Sequence, residues 1–533
     1  MVGQIGSAPG MLFQPLNLLL IVIGVGSGII VGALPGLTAT MAIALLVPFT
    51  FGVAPVRSLV LLGGIYCGAI YGGSFSAILI NAPGTPSAIA TTFDGYPLAK
   101  KGESYRAIVG ATLASVIGGL IGVLFLLFLS PVLSEASLKF GPPEFFWLTT
   151  FGLTIIATLA SKSILKGLIG GAFGLLLSMV GIAPIGGSVR FSFGSVSMQN
   201  GISLIPALIG FFCVPEIIGM IERREEHQTA IPYKRQRHMV RRVFFAMIRK
   251  PFLLIRSAVI GTIVGIIPGA GGNIAGMVSY NEAVRAAKKP ERFGKGTVDG
   301  VIASEASNNA EVSGSLIPLL TLGIPGAPPA AVLLGALLLQ GMRPGAELFT
   351  AHGAVTYTFI LSLILANLAM LPLGLVLGKG ISRIITKIPV AVLAPFIFFL
   401  SIIGAYVINN NVFDVYLMLF FGLISWVGKK VNFHPGPIVL GLILGSICEQ
   451  GLVQSILMGR AEGSVLQVFF TRPISIVLIA LTLVSAFWPL IRAVWSRRSG
   501  SRRSGPPPGG PVGGIGKTPG GPVGGMNKNG GGS

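Results

Sequence analysis

Long apolar stretches separated by short polar connections dominate this chain. Crossing a ~30 Å hydrocarbon core takes about 20 apolar residues. Stretches of suitable length lie at 16–34, 59–80, 107–131, 144–160, 203–220, 353–378, 390–408 and 474–495. Only 10% of the residues are charged and 52% are hydrophobic, whereas soluble proteins contain about a quarter charged residues. The pattern predicts an all-α polytopic membrane protein with roughly 10–12 transmembrane helices.

Two apolar stretches are interrupted by similar motifs, NAPGTP at 81–86 and GIPGAP at 323–328. In lipid, a broken helix is stable only where protein covers it or where it lines a wet cavity. Matching breaks in the two halves of a polytopic chain indicate the binding site of a transporter. These motifs therefore predict broken or re-entrant helices at Pro-Gly loops.

The order of these signals is the same in both halves of the chain. Each half begins with a Gly-rich apolar helix and a Pro-Gly corner. One of the two breaks follows, and then a short segment that contains glycine and basic residues. This order predicts two pseudo-symmetric transmembrane repeats, residues 1–221 and 251–495, joined by a basic linker at 222–250. Inversion is the commoner arrangement of such repeats, but the residues alone do not determine it. The Gly/Pro-rich residues 496–533 are expected to form a disordered tail.

The net charge of +21 is explained by topology. Basic residues cluster in the linker, at 285–295 and near the C-terminus, and the positive-inside rule makes such segments cytoplasmic. No nucleic-acid partner is therefore expected. The N-terminus lacks the basic region of a signal peptide, so the first span is expected to remain in the mature protein. The three cysteines and four histidines have no metal-ligand spacing, and no cofactor is predicted beyond a coupling cation.

The breaks have the chemistry of an anion site. In the first, Thr85 is expected to cap a new helix with its hydroxyl while Pro86 occupies the first helical position. The freed amides and the positive end of the helix dipole would then face a carboxylate. The second break offers mainly backbone donors. The alternative is that both motifs are kinks packed against neighbouring helices.

The segment 299–311 alternates small residues with oxygen-bearing ones. Oxygen ligands suit a hard monovalent cation, and Glu305 or Glu311 could instead bind a proton. The alternative is a capped loop at the membrane interface.

Long motifs in both halves give the chain a family resemblance. They include GALPGLTATMAIALLVPF, YGGSFSAILINAPGTPSAIATTFDGYPLAKKGE and GTIVGIIPGAGGNIAGMVSYNEAVRAAKKPERFGKGTVDGVIASEASNNAEVSGSLIPLLTLGIPG. Over about 20–460 the chain resembles the large membrane subunit of the bacterial tripartite tricarboxylate transporters. The resemblance implies a multi-pass inner-membrane permease that imports small carboxylates such as citrate, coupled to H⁺ or Na⁺, with elevator-like alternating access. It also implies two partners, a periplasmic solute-binding protein and a small four-span membrane subunit.

The breaks and the resemblance together assign substrate binding to Asn81, Pro83, Gly84, Thr85, Pro86, Ser87, Gly323, Pro325, Gly326 and Ala327. The resemblance also assigns ion coupling to Pro35, Gly36, Pro268, Gly269, Glu305, Asn308 and Asn309.

Two other functions are alternatives. One is a stand-alone carrier for another small solute, which would need no binding protein. The other is a membrane enzyme acting on lipids, with Glu305 and Glu311 as acid and base. General acid–base chemistry needs two carboxylates that converge on one substrate, and a six-residue separation on a helix turns them about 240° apart. The chain is therefore expected not to be an enzyme.

Overall fold

The computed structural model describes residues 2–160, 163–222, 231–233 and 236–499. Parts of the predicted linker (223–230 and 234–235) and the tail from residue 500 lie outside the described residues. The chain forms two compact units, residues 1–486 and 487–533. The described part of the second unit is the end of the last helix. In the described part the chain is mostly helical, with one small antiparallel pair, β1 (Gly181–Ile182) and β2 (Val189–Arg190).

The described residues before the linker form eleven α-helices. They are α1 (Val2–Leu12), α2 (Pro15–Ala33), α3 (Ala39–Leu46), α4 (Pro55–Ile80), α5 (Ile89–Leu98), α6 (Ser104–Ser137), α7 (Pro142–Ala160), α8 (Ile164–Ser178), α9 (Val196–Gln199), α10 (Leu204–Phe212) and α11 (Val214–Glu222). Short 3-10 turns cover Pro48–Thr50 and Pro86–Ala88, and a π turn covers Ala99–Glu103.

The remaining described residues form twelve more α-helices. They are α12 (Met239–Ile248), α13 (Pro251–Ile266), α14 (Gly271–Arg285), α15 (Val298–Leu322), α16 (Pro328–Leu339), α17 (Ala346–Thr350), α18 (Gly353–Lys387), α19 (Val390–Val407), α20 (Val412–Lys430), α21 (Pro435–Ala461), α22 (Val465–Phe470) and α23 (Pro473–Ser499). A 3-10 turn at Pro290–Arg292 precedes α15.

The lengths of these helices separate full spans from broken ones. Among the described residues, seven helical segments are long and apolar enough to cross a membrane, and five shorter apolar helices accompany them. The 12 residues of α16 extend only about 18 Å at 1.5 Å per residue, well short of a bilayer core. The prediction of an all-α polytopic membrane protein is confirmed.

Glycines bring α2 against α4 at backbone distance. A Cβ atom built on Gly24, Gly28 or Gly32 would lie 2.6, 2.5 or 2.0 Å from a carbonyl oxygen of α4. Real Cβ atoms do not approach so closely, so only glycine permits this contact. Small residues at helix interfaces serve this purpose in membranes, where apolar burial alone does not drive helices together.

The same packing recurs between α13 and α15. A Cβ on Gly261 would lie 2.1 Å from Ser307 O, and one on Gly265 would lie 2.6 Å from Glu311 O. On the facing helix, a Cβ on Gly314 would lie 2.5 Å from Thr262 O, just as one on Gly72 would lie 2.4 Å from Ile29 O. Each half therefore contains a pair of helices that glycines bring to backbone contact in the same way.

Replacing Gly32 with alanine should destabilise the protein, because the new methyl group would press on Ala69 O at 2.0 Å. We expect a loss of about 1–3 kcal/mol or more, as for other overpacked sites. Gly26→Ala is the matched control on the same helix, since nothing lies within 4 Å of its Cβ position. Thermal unfolding of the detergent-solubilised protein measures both effects. Equal melting temperatures for the two variants would contradict the close packing of α2 on α4.

Candidate functional site

The helices α4 and α15 run into the two predicted breaks, and each is followed by a residue in the left-handed conformation. Asn81, which follows α4, has φ 59°, and Gly323, which follows α15, has φ 74°. After each break the chain folds back along the helix it has just left. Gly84 N donates to Gly73 O at 3.5 Å, and Gly326 N donates to Ser315 O at 3.2 Å. The two breaks thus have the same backbone arrangement.

Gly84 and Gly326 fit where no other residue could. A Cβ on Gly84 would lie 2.0 Å from Gly32 O, and a Cβ on Gly326 would lie 2.0 Å from Gly265 O. Each loop therefore sits directly on the backbone of the helix that precedes the first corner of its half. Protein covers the unwound backbone at these points, as stability in lipid requires.

The predicted capping role of Thr85 is wrong. Thr85 stands at the N-cap position, but its side chain makes no capping hydrogen bond. The new helix starts with a 3-10 turn, in which Ala88 N donates to Thr85 O at 3.0 Å. The Thr85 hydroxyl instead accepts from Ser87 Oγ at 3.3 Å. Thr85 lines a cavity.

This cavity has a volume of about 270 Å³, and both breaks open into it. Of the predicted substrate residues, its lining includes Thr85, Pro86, Ser87, Pro325 and Ala327. The N-terminal ends of α3 and α14 also reach it, through residues 38–40 and 269–274. The starts of the two broken helices, of α3, of α14 and of α21 (residues 434–436) therefore line one space.

The other predicted residues lie off this lining. Among the substrate candidates these are Asn81, Pro83, Gly84, Gly323 and Gly326. They form part of the loops at the two breaks. Among the ion-coupling candidates, the lining includes Gly269 but not Pro35, Gly36, Pro268, Glu305, Asn308 or Asn309.

The cavity lining also contains charged residues that were not predicted from the sequence. Lys429 at the end of α20 forms an ion pair with Glu216 in the first turn of α11, and their side chains are 39% and 22% exposed. His434 lies nearby and accepts a hydrogen bond from Gly436 N at 3.1 Å. Because 213 residues separate Glu216 from Lys429, no local sequence pattern could have joined them.

The polar segment at 299–311 is part of the buried helix α15, so the interfacial-loop alternative is wrong. Glu305 accepts hydrogen bonds from Thr91 Oγ1 and, at 3.0 Å, from Ser115 Oγ. Thr91 also lies 3.1 Å from Ser304 Oγ. The broken helix of the first half is thereby hydrogen-bonded to the central helix of the second half.

In the described part of the chain, no group of three or more His, Cys, Asp or Glu side chains is arranged to hold a metal ion.

Comparison with known proteins identifies the family. The model of the tripartite tricarboxylate transporter TctA family matches residues 18–440. The chain belongs to this family. It is therefore a multi-pass membrane protein of a transporter family.

Two relatives come from Agrobacterium vitis. An uncharacterised 52.8 kDa protein of the TAR-I ttuC' 3' region is 37% identical over 485 residues, which are 91% of this chain and 95% of the relative. An uncharacterised protein of the TAR-II ttuC' 3' region is 37% identical over 238 residues, which are 45% of this chain and 97% of the relative. No solved structure matches this TctA-family chain.

Asp94 of this TctA-family protein joins the two halves by hydrogen bonds. Its side chain is completely buried. One carboxylate oxygen accepts from Gly296 N at 2.8 Å and Thr297 N at 2.9 Å, and the other accepts from Tyr280 Oη at 2.9 Å. The carboxylate thus caps the start of α15 and fixes α5 against α14.

Asp94→Asn should destabilise the protein by about 1–3 kcal/mol, because an amide group would face donors that a carboxylate satisfies. Hydrogen exchange at 296–300 should rise at the same time. Asp299→Asn is the matched control at the same helix start. Its ion pair with Lys250 at 2.5 Å is partly exposed, and such pairs contribute about 0–1 kcal/mol. Similar exchange in both variants would mean that Asp94 does not anchor α15.

Proposed function

We propose that this protein is the permease subunit of a cation-coupled secondary transporter that imports small dicarboxylates or tricarboxylates. A periplasmic solute-binding protein would deliver the substrate, and a small four-span membrane subunit would accompany the permease. The proposal rests on membership of the TctA family and on one observation, the cavity into which the broken helices of both halves open.

The backbone supplies the attraction for an anion. The N-terminal end of a helix has a partial positive charge and free amide donors. Helix starts from both halves line the cavity, so an anionic substrate could be held without a buried arginine. Two or three carboxylates on one small molecule would match ends that approach from different directions.

The two halves would contribute differently to binding. Thr85 and Ser87 bring hydroxyl groups to the cavity on one side. On the other side, Pro328 and Pro329 occupy the first positions of α16. Since proline has no amide hydrogen, α16 supplies few donors and acts mainly as a rigid wall.

Lys429 would add a full positive charge at the entrance. Its ammonium is paired with Glu216 in the present conformation, and a substrate carboxylate entering the cavity would compete for it. Long-range attraction of this kind concentrates charged ligands at a site and weakens with ionic strength.

Alternating access would move the broken helices as a unit. Their loops are seated on glycine backbones, and Thr91 ties α5 to α15. A change of conformation within this cluster would break several close contacts at once. We therefore propose an elevator-like displacement of the whole cluster, driven by H⁺ or Na⁺, with the buried polar residues of α15 beside the cavity.

Reconstitution tests this function directly. The permease, its small subunit and its binding protein are placed in proteoliposomes, and uptake of labelled citrate, malate, succinate and tartrate is measured under imposed pH or Na⁺ gradients. We expect concentrative uptake of at least one of these acids. Uptake of equal size without the binding protein would favour a stand-alone carrier, and no uptake under either gradient would reject the proposal.

In that system, Thr85→Ala should raise the KM for the imported acid about tenfold, equivalent to about 1.4 kcal/mol of lost binding. The reason is the loss of a hydroxyl at the cavity surface. Thr92→Ala is the control on the same helix, because Thr92 Oγ1 donates to Ile89 O at 2.7 Å and lies outside the cavity lining. Normal insertion with an unchanged KM in Thr85→Ala would remove this residue from the proposed site.

Lys429→Gln should lower kcat/KM several-fold in low salt, and the difference from wild type should shrink as ionic strength rises. Lys430→Gln provides the control, since Lys430 pairs with Glu222 at 3.2 Å and lies over the Trp426 ring, outside the cavity lining. An effect of equal size in both variants would point to general surface charge and against a role for Lys429 at the entrance.

A further inference from the structure

The central helix α15 contains two buried glutamates in different surroundings. Glu305 lies off the cavity lining, and each of its oxygens accepts a hydrogen bond, one from Thr91 and one from Ser115. Glu311 is 1% exposed and lines the cavity. Its Oε1 has no hydrogen-bond partner among the described residues. One carboxylate is therefore satisfied by its neighbours, and the other is not.

Glu311 has an unpartnered amide oxygen beside it. Asn308 Oδ1 is also buried without a hydrogen-bond partner within the described chain. Both groups face Gly272, in the first turn of α14. A Cβ built on Gly272 would lie 2.9 Å from Asn308 Oδ1, 3.3 Å from Glu311 Oε2 and 2.7 Å from Ser87 Cβ. The carboxylate of Glu311 and the amide of Asn308, both on α15, therefore lie close to Ser87 of the first break and to the start of α14.

The charge of Glu311 conflicts with an anionic substrate. A buried carboxylate without a partner is costly, and a second negative charge in the same cavity raises that cost. With the cavity empty, the positive end of α14 compensates part of the charge. With a carboxylate bound, the same helix end would serve two anions. A monovalent cation on Glu311 would remove the conflict.

We propose that Glu311 is the group that couples cation movement to substrate movement. A proton bound to its carboxylate, or a sodium ion held by the oxygens of Glu311 and Asn308, neutralises Glu311 whenever an anionic substrate occupies the cavity. The cation enters from the outer aqueous phase with the substrate and leaves with it on the inner side, and Glu311 then returns negatively charged. This inference rests on the proposed carboxylate transport and names the residue responsible for its coupling.

The Glu311→Gln variant mimics the permanently neutralised state. In proteoliposomes containing the complete system, Glu311→Gln should still exchange internal for external substrate in the absence of a gradient. Concentrative uptake driven by a pH or Na⁺ gradient should fall at least tenfold. The probe is whichever of labelled citrate, malate, succinate and tartrate the wild type accumulates. Loss of a response to pH alone identifies the proton, and loss of a response to Na⁺ alone identifies sodium.

Glu282→Gln is the control variant, since Glu282 forms a partly exposed ion pair with Arg285 at 2.8 Å and lies outside the cavity lining. Its uptake should keep the wild-type response to the gradient. Glu311→Asp, which retains the carboxylate, should also keep that response at a reduced rate. If Glu311→Gln does not fold, Glu311→Asp serves as the test. It should then shift the pH or the Na⁺ concentration at which uptake is half-maximal. Wild-type accumulation by Glu311→Gln, or an unshifted Glu311→Asp, would overturn the inference while carboxylate transport stands. Absence of uptake by the wild type would instead reject the proposed function.

Discussion

The architecture depends on covering interrupted backbone inside a membrane. An unwound segment in lipid exposes amide and carbonyl groups that nothing in the surrounding hydrocarbon can satisfy. Here each break is seated on another backbone, Gly84 against Gly32 and Gly326 against Gly265, at distances that exclude even a methyl group. Glycine is thus the residue that makes two broken helices compatible with a bilayer.

This constraint also creates the cavity. Once the loops are fixed on the glycine-packed helices, the helices that follow them start at the same cavity as α3 and α14. Their positive ends then face a common space. The proposed anion site is therefore supported by the backbone arrangement, before any side chain is considered. Side chains such as Lys429 and Glu311 then adjust the charge of that space.

Local sequence signals predicted what depends on local geometry. Proline removes a backbone donor and disfavours a continuing helix, so the Pro-Gly motifs located the breaks at Asn81 and Gly323 from the sequence. The capping bond of Thr85 was predicted wrongly, because a 3-10 first turn and an α-helical first turn can begin with the same residues. The pair formed by Glu216 and Lys429 could not be predicted, since it depends on how α11 and α20 pack.

The two halves share a backbone but differ in the side chains they bring to the cavity. Gly84 and Gly326 occupy equivalent positions, whereas Ser87 of the first half corresponds to Pro329 of the second. A substrate bound between them would meet hydroxyl groups on one face and a rigid apolar wall on the other. Discrimination between carboxylates that differ in hydroxylation would then depend on the first half. The second half would supply the cation-binding carboxylate, so selectivity and coupling would depend on different halves of the chain, which meet at Gly272.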